Sequence, residues 1–122
     1  MIAALRRCTK GTAAVEFALI APVLLAFLVG TVEFGRAMWF RQTMQFACEE
    51  ATRWALVNST ATNTAIAATA TSRLGLTGEP VVFTVTSDAN GITVAASYDF
   101  STLAQGLLPF RFTLNAKSRL PR

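Results

Sequence analysis

Histidine is absent from the 122-residue sequence, and cysteine occurs only twice, as Cys8 and Cys48. A zinc site built from cysteine and histidine is therefore excluded, as is a Ser-His-Asp triad. No G-x-x-x-x-G-K-[ST] stretch occurs, so no phosphate-cradling loop of that type is present. Charged residues are few, 15% against 52% hydrophobic, and this balance argues against intrinsic disorder. These absences weaken most enzyme readings, and no catalytic residue, metal-ligand set or cofactor is expected.

What charge there is lies unevenly. Arg6, Arg7 and Lys10 stand before Gly11 with no acid among them, while residues 12–122 carry eight Lys/Arg and seven Asp/Glu. The basic excess is thus a short head and not a stripe along a folded face. A nucleic-acid partner is accordingly not expected.

A greasy segment follows the head. Phe17 to Val32 gives sixteen residues without a charge. A membrane-spanning helix needs about 20 apolar residues. Starting at Ala13 reaches that length, but takes in Glu16 near the first turn. An acid at the bilayer centre costs on the order of 2.5–3.5 kcal/mol, and less near the interface. The Leu, Ile, Val and Phe around it predict insertion regardless. Three positives before the span place the N-terminus in the cytoplasm and everything after Arg36 outside. A secretory signal would be followed by a small-residue cleavage site, whereas Thr31-Val32-Glu33-Phe34-Gly35-Arg36 offers none.

Gly11 ends the basic head, Glu16 and Phe17 come five and six positions later, and an apolar helix follows. This arrangement resembles a type IV prepilin signal. The wider stretch from Gly11 to Arg36, including Glu33-Phe34-Gly35-Arg36, is similar to the TadE-like pseudopilins of tight-adherence (Flp-type) pilus systems. The resemblance is strong over roughly residues 10–40 and only of general pattern beyond. It implies a leader at 1–11, a retained transmembrane segment at 12–35 and an extracytoplasmic pilin-like domain at 36–122. It also implies that a prepilin peptidase cuts between Gly11 and Thr12. Thr12 departs from the Phe usual just after that glycine in type IVa pilins and type II secretion pseudopilins. Glu16 and Phe17 become assembly residues under this likeness, because the pilin acid is thought to meet an N-terminal amine as subunits pack. A buried carboxylate needs such a paired charge. Glu33 and Arg36, three apart on a helix, either pair locally or meet a partner.

Helical spacing continues beyond Arg36. Ala37, Phe40, Met44, Ala47, Ala51 and Trp54 alternate steps of three and four. One helix from Thr12 to Val57 would be about 69 Å long, more than twice a hydrocarbon core of about 30 Å. Pro22 removes one backbone bond and predicts a kink or loosening there. Asn58 to Thr64 reads as a break. Ile66, Ala70 and Leu74 then mark a short second helix with Gly75 as its stop. Glu49 and Arg53 form an i,i+4 pair in the favourable order.

From Glu79 the period becomes two. Val81, Phe83 and Val85 share one face of a strand. Ile92, Val94, Ala96, Tyr98 and Phe100 share a second, and Phe110, Phe112, Leu114 and Ala116 a third. Asp88-Ala89-Asn90-Gly91 turns the first two into a hairpin; the place of the third strand in the sheet is open. The fold class is α+β: a long N-terminal transmembrane helix extending outside the membrane, a short second helix and a three-stranded antiparallel sheet packed on the long helix.

The function expected from the likeness is that of a minor pilin or pseudopilin in assembly of a tight-adherence pilus, by initiation, capping or scaffolding. Its partners would be the prepilin peptidase, other minor pilins, the major pilin, the inner-membrane pilus platform and the lipid bilayer. It would be a single-pass inner-membrane protein with its C-terminal domain outside. Two alternatives stay open: a type II secretion-type pseudopilin, and an uncut anchor presenting a small binding domain. With the leader removed, Cys48 stands alone beside the apolar stripe, and a buried free thiol is expected there, with an intersubunit bridge as the sharper alternative.

Overall fold

In a computed structural model of the chain, residues 10–75, 80–102 and 110–121 are described. Arg6, Arg7 and Cys8 of the basic head, and most of the link before the third strand, lie outside the described residues. The order of elements is α1 (Lys10–Val57), α2 (Asn63–Leu74), β1 (Val82–Asp88), β2 (Gly91–Ser101) and β3 (Arg111–Leu120). Two compact units share α1, one ending at Gly35 and the other beginning at Arg36.

In the first unit α1 is apolar on every side and runs without interruption through Pro22. Apart from half-buried Ala21 and Glu33, residues 11–35 are exposed. An 18-residue window of this helix has a mean hydropathy of 2.3 with none of it buried, making α1 long and apolar enough to cross a membrane. A helix greasy all round has no water-facing side, so it requires lipid or other protein around it.

The second unit begins where that pattern gives way to a one-sided stripe. Ala37, Phe40, Met44, Ala47, Ala51 and Ala55 are buried, and Trp54 lies partly buried against the core. Cys48 and Thr52 join the buried face. The Thr52 hydroxyl is satisfied by donating to the Cys48 carbonyl at 2.6 Å, which is how a polar side chain survives there.

Asn58 starts the break. Its side-chain amide donates to the Trp54 carbonyl at 2.9 Å. Thr62 caps α2, its hydroxyl accepting from the Ala65 N–H at 3.3 Å. Gly75 closes the helix in the left-handed region at φ 64°. Ile66, Ala70 and Leu74 point into the core, one turn apart.

The sheet is an antiparallel meander in the order β1-β2-β3, which places the third strand beside β2. Among the described residues the middle strand alone is paired on both sides, and it is the most buried of the three. Its inward residues Ile92, Val94, Ala96, Tyr98 and Phe100 meet α1 through an aromatic cluster. Phe40 stacks on Tyr98 at 5.2 Å and meets Phe100 edge-on at 6.0 Å. The free backbone edge of β3 is partly covered by a side chain of α1. Gln45 Nε2 donates to the Lys117 carbonyl at 3.2 Å, and the Lys117 N–H donates to Gln45 Oε1 at 3.3 Å. The amide thus pairs as a neighbouring strand would and blunts an edge open to other chains. The same Nε2 donates to Glu49 Oε1 at 2.9 Å, so Glu49 is held by Gln45 and not by the Arg53 expected from spacing.

The β1–β2 connection differs in detail from a simple Asn-Gly turn. Asp88 pairs with Gly91, leaving Ala89 and Asn90 as the two turn residues, and neither has positive φ. Gly91 has φ 149°, and a Cβ there would lie 2.5 Å from the Leu120 carbonyl oxygen. Both the conformation and the close approach require glycine. Gly91→Ala is expected to destabilise the domain by about 1–3 kcal/mol, the scale of one strained backbone position. Thermal unfolding of the detergent-solubilised chain checks this; an unchanged midpoint would show that the β2–β3 end relaxes freely.

The third strand holds a second departure. Leu114 and Ala116 are buried as their alternation predicts, but Phe110 and Phe112 are not.

Candidate assembly surface

The residues singled out by sequence are divided between the two units. Gly11 and Thr12 occupy the first turns of α1, so the bond between them is helical. A Cβ built on Gly11 meets nothing within 4 Å. Glu16 is exposed four residues beyond Thr12, one turn along the same face. Phe17 next to it is 70% exposed.

Twelve large apolar side chains between Val15 and Phe34 are exposed in this way. Each is worth about 1.5–3 kcal/mol when buried, so together they outweigh by several-fold the few kcal/mol that one carboxylate costs in a bilayer. Glu16 is therefore affordable for insertion, and its presence calls for a separate reason.

One face of the same segment has a shallow groove of about 420 Å³ lined by Ala26, Phe27, Gly30, Thr31 and Phe34. A Cβ on Gly30 or Gly35 would meet nothing within 4 Å. Glycine inside a helix costs about 1 kcal/mol relative to alanine, and the described contacts of this chain give no reason for it. The Thr31 hydroxyl is turned inward, donating to the Phe27 carbonyl at 2.9 Å.

The Glu33-Phe34-Gly35-Arg36 motif crosses from one unit to the other, and its members do different things. Glu33 is half-buried, while Phe34 and Gly35 are exposed. Arg36 belongs to the second unit. Its guanidinium carbon lies 4.4 Å from the centroid of the Phe100 ring, and Nη2 donates to the Ser101 carbonyl at 2.5 Å. Arg36 thereby ties α1 to the end of β2 by a cation–π contact and a charge-assisted hydrogen bond. Spacing offers a local pair or a partner contact for this residue; the contacts to Phe100 and Ser101 come besides these, up to 65 residues away in sequence, and nothing local signals them.

Cys48 is a buried free thiol, as its place beside the stripe predicts. Burial, with a smaller contribution from the Glu49 charge, pushes its pKa up to about 11. The unfolded thiol ionises near its ordinary value of 9.0 while the folded one stays protonated. Above that pH the unfolded state binds fewer protons, so stability falls as pH rises from about 9 to about 11, by on the order of 2 kcal/mol. Denaturation of the wild type against Cys48→Ala across this range should show the steeper loss of stability in the wild type. Among the described residues, no three His, Cys, Asp or Glu side chains gather as metal ligands.

The geometry so far is an all-apolar exposed helix with one acid near its start, followed by a folded domain locked onto its continuation. Residues 11–53 match the model of the family described as TadE-like protein. This segment is TadE-like. The match starts at Gly11, includes Glu16 and the whole Glu33–Arg36 motif, and ends inside α1. The second helix and the sheet lie beyond it. No curated protein and no solved structure matches the chain.

Proposed function

We propose that the chain is a minor pilin-like subunit that serves assembly of a tight-adherence pilus and performs no catalysis. The observation that carries this reading is the TadE-like match over 11–53, which joins Gly11, Glu16 and the 33–36 motif on one exposed apolar helix. In this reading a prepilin peptidase cuts between Gly11 and Thr12, and the segment 12–35 remains in the inner membrane. The new amine of Thr12 is a cation in apolar surroundings, and a Glu16 carboxylate is the charge that satisfies it as subunits pack. The groove over Gly30 and the open Gly35 give neighbouring pilin helices room for close approach. The domain after Arg36 lies outside and selects among the other minor pilins, the major pilin and the platform.

The deciding experiment is the mature N-terminus. In cells containing the peptidase, the protein should begin at Thr12. Gly11→Val should accumulate a membrane-bound form roughly 1 kDa heavier, since the leader is eleven residues of a 13.1 kDa chain. Identical mobility of wild type and variant, with Met1 retained in both, would replace the pilin by an uncut anchor. A reporter active only outside the cytoplasm, fused at Arg122, should be active; an inactive one would reverse the topology.

A further inference from the structure

Phe110 and Phe112 are 62% and 45% exposed although they continue the inward alternation of Leu114 and Ala116. The register explains where they are. Phe112 lies opposite Phe100 and Arg111 opposite Ser101. The Phe112 ring is 5.1 Å from Phe100, the ring that Arg36 covers, and Ser101 accepts the Arg36 hydrogen bond. Phe110, Arg111 and Phe112 are therefore at the end of the sheet that Arg36 ties to α1. Arg36 is the first cation after Gly11, where the apolar run gives out. Trp39, three residues further along α1, is 55% exposed.

This end of the domain combines exposed rings with Arg36 and Arg111; the acid nearest in the register, Asp99, lies opposite Thr113 and accepts its hydroxyl hydrogen bond at 2.8 Å. Aromatic side chains with arginine beside them match the boundary between acyl chains and headgroups, where rings meet apolar tails and guanidinium meets phosphate. We propose that this rim rests in the headgroup zone of the same bilayer that the apolar part of α1 enters, rings inward and Arg111 toward anionic lipid phosphate. The inference rests on the membrane-anchored reading of α1. It gives the exposed phenylalanines a lipid occupant, and it makes the domain end near Arg36 a second membrane contact besides the helix.

The test uses the full chain reconstituted in phosphatidylcholine–phosphatidylglycerol vesicles, with lipids brominated on the upper acyl chain as quenchers. One variant, Trp39→Phe/Trp54→Phe/Phe112→Trp, reports on the rim. Another, Trp39→Phe, keeps only Trp54 as an internal control. Phe112→Trp fluorescence should be blue-shifted and quenched at least about twofold more than that of Trp54. Phe110→Trp in the same background, which alters a residue ahead of β3, should behave likewise and serves if the Phe112 variant unfolds. Chain that floats with the vesicles while both reporters are quenched no more than Trp54 overturns the rim contact and leaves the anchor standing. Chain that does not float overturns both.

Discussion

Glu16→Ala should yield a subunit that is cut and membrane-bound yet recruits the major pilin more than a hundredfold less well. Insertion should be unchanged or slightly better, because the substitution removes a carboxylate from a segment whose other side chains favour lipid. Assembly is different. If the Thr12 amine is paired with Glu16 in the packed state, truncation leaves that cation buried and alone. Breaking a buried pair from one side costs about 3–5 kcal/mol, where an exposed pair would cost about 1 kcal/mol or less, and each 1.4 kcal/mol is a factor of ten. The measurement is pull-down of the major pilin, or piliation, normalised to the level of processed subunit. Glu16→Asp should be intermediate, since the charge remains and its reach is shorter. Wild-type assembly by Glu16→Ala would reduce Glu16 to an acid that favours a helix N-terminus.

Phe100→Ala should strongly destabilise the unit that begins at Arg36 while leaving the apolar part of α1 helical. Phe100 is 1% exposed and is shared by Phe40, Tyr98, Phe112 and the Arg36 guanidinium. Removing such a ring costs about 3–5 kcal/mol through lost transfer energy and the cavity left behind. A small domain has about 5–15 kcal/mol in total, so this one side chain consumes a large share. Near-UV circular dichroism and limited proteolysis of the detergent-solubilised chain would read it. Phe100→Leu should lose well under half as much, because most of the volume stays. Equal stability of Phe100→Ala and wild type would mean that the aromatic cluster does not hold the sheet to α1. The two variants also separate the units: Glu16→Ala should leave the domain's melting untouched, and Phe100→Ala should leave processing at Gly11 untouched.

The sequence by itself determined those features of this protein that come from local pattern. The steps of three and four from Ala37 to Ala51 specify a helix stripe because side chains recur every 3.6 residues, and that stripe is buried. Alternation in Val81–Val85 and Ile92–Phe100 specifies strands because a strand turns its side chains over at every residue. Gly75 was legible as a stop because only glycine takes the left-handed conformation at little steric cost. The exposed apolar run with Gly11 and Glu16 was legible for the same reason: its signal is composition and spacing along one helix. Tertiary structure alone decided what depends on residues far apart in the chain. It placed β3 beside β2, sent Arg36 to Phe100 and Ser101, and turned Gln45 to the edge at Lys117. It also left Phe110 and Phe112 uncovered on an inward alternation. Periodicity states which face of a strand a side chain takes, but a face is buried only as far as the opposing layer extends over it, and that extent is a property of the packed layers.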